Sequence, residues 1–76
     1  MKKFIQQTIK EQIANNETPA IAFRNQWDDC GHIQFHRNDW AIFFNSKCVH
    51  VSKTLTSAVN KLEKLHIREE DLFILE

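Results

Sequence analysis

The 76-residue chain predicts an α+β fold: a four- to five-stranded, mostly antiparallel sheet (a meander) with two helices packed on one face, in the order α-β-β-β-β-α-β. Three observations predict it. Apolar residues recur every fourth residue near the start, every second residue through the middle, and at three- and four-residue spacing from Leu55 to Leu65. A chain of this length makes one domain, residues 1–76, and buries roughly 60% of its unfolded surface. Its 42% hydrophobic content is enough for a core and too high for a disordered chain.

The first helix is expected from about Lys2 to Asn15. Ile5, Ile9 and Ile13 form its apolar stripe, with Phe4 beside them, and the intervening Gln, Lys and Glu residues are good helix formers. Asn15-Asn16 and Thr18-Pro19 end it, because Asn tolerates a left-handed stop and Pro disfavours helix just before itself.

From Ala20 to Ser52 the period is two. Ile21 and Phe23 alternate with Ala20, Ala22 and Arg24. Asp28-Asp29-Cys30-Gly31 is expected to turn, with the only glycine where a positive φ is cheap. Ile33 and Phe35 alternate with His32, Gln34 and His36, Arg37-Asn38 turns, and Trp40, Ile42 and Phe44 alternate with Ala41 and Phe43. Asn45-Ser46 turns again, and Val49 and Val51 alternate with Cys48 and His50. Two-residue turns set Phe35 opposite Trp40, Ile33 opposite Ile42, Ile42 opposite Val49 and Trp40 opposite Val51. One face therefore carries Ile33, Phe35, Trp40, Ile42, Phe44, Val49 and Val51.

A second helix is expected from about Thr54 to His66. Its stripe is Leu55, Ala58, Val59, Leu62 and Leu65, with Thr54 as N-cap and Ser52 as the competing cap. Arg68 to Asp71 is a polar connection. Leu72-Phe73-Ile74-Leu75 is a short apolar run, most simply a last strand, reached by a crossover that places it parallel in the same sheet.

Composition excludes several function classes. Ten basic and ten acidic residues cancel, so the chain has no long-range attraction for nucleic acid or anionic lipid. One glycine allows no glycine-rich phosphate loop. No segment approaches the roughly 20 apolar residues of a membrane span, and the start has no apolar run of the signal-peptide kind. A soluble, cytoplasmic protein is expected, with Cys30 and Cys48 as thiols.

If both helices cover one face, the other is left open. That face is expected to show His32, Gln34, His36, Ala41, Phe43, Cys48 and His50, and the last strand adds apolar side chains to both faces because it does not alternate. Apolar area beside imidazoles and a thiol suits a partner or self-association surface; scattered surface residues are the plainer reading. Cys30, His32, Cys48 and His50 are the ligand types zinc takes, but Cys-x-His is too close a spacing for a zinc knuckle. In a flat sheet His32 and Cys48 also stand two strands apart with Phe43 between them. Cys48 and His50 suggest a nucleophile and base, yet along one strand they are about 7 Å apart, so an inert thiol is the better reading and no enzyme is expected. Trp27, Trp40, Phe43, Arg24, Arg37 and Lys47 could form a stacking platform for single strands, but parity sends Trp40 inward and leaves Phe43 nearly alone. A histidine-based pH switch on this face is weaker than ordinary surface histidine.

The expected function is a small protein-binding module acting by non-catalytic contact, as an inhibitor, adaptor or regulatory subunit. Accessory proteins of phages and mobile elements share its size. The expected contact residues are Phe43, His32, His50, Gln34 and Trp27, the last because Trp is enriched in binding hot spots. A protein partner is expected, a homodimer is compatible with the same face, and no cofactor or metal is expected. The alternatives are a single-stranded nucleic-acid-binding module on that face and a small zinc-supported domain.

Overall fold

The structure is a computed structural model that describes residues 1–74. Helix α1 spans Lys2–Ala14. Ile5 and Ile9 enter the core as expected, but Ile13 is 49% exposed, and Thr8 and Gln12 complete the buried face instead. The cause is helix geometry. Each four-residue step overshoots a full turn by roughly 40°, so a stripe at fixed spacing of four has rotated off the face by its third member.

The sheet comprises β1 (Ala20–Arg24), β2 (Cys30–His36), β3 (Asp39–Phe44), β4 (Lys47–Ser52) and β5 (Leu72–Phe73), in the order β4-β3-β2-β1-β5. Every pairing is antiparallel. The expected crossover therefore holds in chain direction, since β5 runs the same way as β4. Its neighbour, however, is the antiparallel β1 at the far side of the sheet. Leu75, expected to extend that strand, lies outside the described residues.

Because β5 pairs only with Ala22 and Phe23, the first residue of β1 faces β2 on one side and, among the described residues, no strand on the other. Gln12 takes the strand's place. Its Nε2 donates to the Ala20 carbonyl at 2.9 Å, and its Oε1 accepts from the Ala20 N–H at 3.1 Å. One amide side chain thus satisfies a donor and an acceptor that would otherwise be stranded at a part-buried edge.

Both expected two-residue turns form. Arg37 and Asn38 have φ of 51° and 66°, and Asn45 and Ser46 have φ of 50° and 71°. Paired left-handed residues match the right-handed twist of the flanking strands. The β2–β3 register follows as expected, with Phe35 opposite Trp40 and Ile33 opposite Ile42.

Two expectations about the sheet are corrected. The β1–β2 turn is Asn25–Asp29, not Asp28–Gly31. Its positive φ of 68° falls at Asp28, and the buried Asn25 organises it, its Oδ1 accepting from the Trp27 and Asp29 amides at 3.0 Å each. Gly31 lies inside β2 without a positive φ, and its role is steric: a Cβ there would stand 1.9 Å from the Phe43 carbonyl oxygen and 2.8 Å from the Phe23 ring. The second correction is a bulge in β4. Ile42 pairs with His50, and the next pair is Phe43 with Cys48, so Val49 is an extra residue. Beyond the bulge the parity reverses: Ala41 faces Val51 and Trp40 faces Ser52. Val51, expected in the core, is 59% exposed.

Helix α2 spans Leu55–Lys64, capped by Thr54, whose side-chain oxygen accepts from the Ser57 N–H. It runs back toward the end where β4 began, because His66 meets Trp27 of the β1–β2 loop. Both helices lie on one face. Ile5, Ile9, Leu55, Ala58, Leu62 and Ile67 pack there against Ile21, Phe23, Ile33, Ile42 and Leu72. A single 3-10 turn, Glu69–Asp71, then leads into β5. Arg68 and Asp71 form a two-pronged ion pair across it, and the Asp71 carboxylate also accepts the Arg68 backbone N–H at 2.9 Å. The guanidinium hydrogen bond is the chief cause holding the Asp71 carboxyl below its ordinary value. No helix among the described residues is long and apolar enough to cross a membrane.

Candidate interaction surface

With both helices on one side, the second face of the sheet has no layer over it among the described residues. Cross-strand register lines its side chains up in rows. Phe73, Ala22, His32, Phe43 and Cys48 make one row across all five strands, from β5 to β4. Ala20, Gln34, Ala41 and Val51 make the next. The large members are partly exposed, Phe73 at 43% and Val51 at 59%, while Ala22 and Ala41 are buried between them.

His32 lies flat on Phe43, with ring centroids 4.8 Å apart and planes 15° from parallel. Its Nε2 is 3.3 Å from Gln34 Oε1, which holds the imidazole in that orientation. Beside the stack is a shallow depression of about 350 Å³, bounded by Ala22, His32, Phe43 and Phe73 and by Arg24, Cys30 and Ser46 at its rim. No Lys, Arg, Asp or Glu stands in either central row. Charge is confined to the two ends. Arg24 pairs with Asp28 at 3.5 Å at one, and Asp39 pairs with Lys53 at 2.6 Å at the other.

Of the five residues expected at the contact surface, the fold brings Phe43, His32 and Gln34 together. His50 is elsewhere. The bulge turns it to the helix side with Ile42, where its Nε2 meets Ser57 Oγ of α2 at 3.1 Å. Trp27 is also elsewhere, 57% exposed at the end of the sheet with its ring edge-on to His66 at 5.3 Å. Sequence parity missed Val51 because a bulge carries no sequence mark of its own. The non-alternating run at Leu72-Phe73 did signal that one of the pair faces outward.

The four candidate zinc ligands do not converge. His32 and Cys48 flank Phe43 on the open face, Cys30 lies opposite Arg24 one row away, and His50 is on the other face. Among the described residues no group of three or more His, Cys, Asp or Glu side chains is placed to hold a metal ion. Cys48 is exposed, and its Sγ approaches the His50 carbonyl at 3.8 Å rather than the imidazole, which Ser57 engages. The Cys48 thiol and the His50 imidazole are therefore not paired with each other. No family model, curated protein or solved structure matches this chain.

Proposed function

We propose that this chain is a small cytoplasmic protein-binding module that acts by non-catalytic contact, as an inhibitor, adaptor or regulatory subunit, through the open face of its sheet. One observation carries the reading: two adjacent rows of that face combine exposed Phe73 and Val51 with the Phe43–His32 stack and contain no charged side chain. An apolar centre depleted of charge, with ion pairs only at its ends, is the anatomy of a protein interface. The Phe43 ring, held by His32 beside a shallow depression, supplies the aromatic anchor such interfaces use.

A second reading, binding of single-stranded nucleic acid, draws support from the same flat ring pair on an open antiparallel sheet. The absence of Lys and Arg from the two rows counts against it, because phosphate contacts supply most of such affinity. Affinity capture from the native host with the wild-type chain and Phe43→Asp tests the proposal, with circular dichroism confirming that both are folded. Loss of a captured protein on substitution supports it. An unchanged set of captured proteins rejects this face, and salt-sensitive binding of generic oligonucleotides selects the second reading.

A further inference from the structure

Resting on the reading of the open face as a protein-binding surface, we infer that its occupant is a second copy of this chain, packed sheet to sheet. Two observations argue for it.

The first is the arrangement of charge. Arg24 stands on β1 opposite Cys30, and Asp39 stands on β3 opposite His36. The two opposite charges therefore sit at opposite ends of β2, on strands to either side of it. Residue 33 is midway between 30 and 36, so their common centre falls between His32 and Gln34. A two-fold axis lying in the interface plane through that point exchanges the ends. It sets Arg24 of each copy, already paired with Asp28, against Asp39 of the other, already paired with Lys53, so that two ion pairs meet at each end and the neutral rows close on each other. Self-complementarity of this kind is what a two-fold interface requires of a single patch.

The second is shape. Five strands at a spacing of roughly 4.8 Å make a face about as wide as the molecule, whose extents are 33 × 25 × 22 Å. A single helix, roughly 10 Å across, covers only two or three strands. A second flat sheet at roughly 10 Å separation covers the whole face, as in a sandwich.

The test is sedimentation equilibrium of the purified full chain, with Arg24→Asp, Asp39→Arg and the double reversal, each checked for fold by circular dichroism. The wild type is expected at twice its 9.0 kDa mass. Each single reversal is expected to weaken the dimer by about tenfold or more, because it acts twice across a two-fold interface. The double reversal is expected to restore it. Within one copy the double reversal repairs nothing: it leaves like charges beside Asp28 and beside Lys53, so recovery can arise only between copies. A wild type that stays monomeric at millimolar concentration overturns the inference, as does a double reversal no better than the singles. A monomer that still loses its captured host protein on Phe43→Asp overturns only the second copy and leaves the protein-binding reading standing.

Discussion

The His50 imidazole is bonded to Ser57 Oγ at 3.1 Å, which ties β4 to the first turn of α2 on the helix side of the sheet. The bulge at Val49 makes this contact possible, because it turns His50 to the side of Ile42 and lets Val49 pack against the core as well. A half-buried hydrogen bond of this kind contributes about 0.5–1.5 kcal/mol. A double-mutant cycle on His50→Ala and Ser57→Ala, read by urea denaturation, should give a coupling of that size. A coupling near zero would mean that packing alone holds the bulge.

Gly31 cannot carry a side chain. A Cβ would meet the Phe43 carbonyl oxygen at 1.9 Å, and a backbone atom in a central strand cannot withdraw. Gly31→Ala should therefore destabilise by about 2–3 kcal/mol, although alanine is ordinarily the better residue in a strand interior. Thermal unfolding followed by circular dichroism checks the sign, and an unchanged or raised melting temperature contradicts the steric account.

Gln12 is a helix residue acting as a strand. Removing its amide in Gln12→Ala leaves the Ala20 N–H and C=O without partners at a part-buried edge, which should cost about 1–3 kcal/mol. Gln12→Glu keeps an acceptor for the N–H but turns a carboxylate toward the carbonyl, so it should recover at most part of the loss. Amide hydrogen exchange at Ala20 should speed up in both variants, and more in the alanine.

Asp71 gives the molecule an acid-sensitive joint before β5. Its carboxyl titrates below the ordinary value in the folded state because the Arg68 side chain and backbone N–H bond to the carboxylate. Its stabilisation is present above the unfolded value of about 3.9 and is lost as pH falls from there through the folded value. Melting temperature should fall less steeply over that acid range in Asp71→Asn than in wild type. Identical slopes would exclude Asp71 as the titrating group.

Phe43 is partly exposed, so truncating it should cost stability little while removing the proposed anchor of the open face. Phe43→Ala should lower the unfolding free energy by about 1 kcal/mol, against about 3–5 kcal/mol for Phe23→Ala in the core. Comparable losses in the two variants would place Phe43 in the core and not on a surface.

The period of the apolar residues alone determined the two helices, the four meander strands, both two-residue turns and the β2–β3 register. Each of these follows from neighbours close in the chain: paired left-handed residues at Arg37-Asn38 and Asn45-Ser46, and alternation on either side of them. Phe43, His32 and Gln34 came together for the same reason, because a regular register fixes which side chains share a face. Contacts between distant segments decided the rest. Val49 and His50 depart from alternation because α2 offers Ser57 and a core to fill, and nothing within β4 encodes that. Gly31 holds its place against a carbonyl from another strand, not for a turn of its own. Gln12 is buried because the edge of β1 needs an amide, and β5 reaches that edge from the other end of the chain. Local pattern specifies elements, whereas bulges, edge partners and steric vacancies are set by what the folded elements meet.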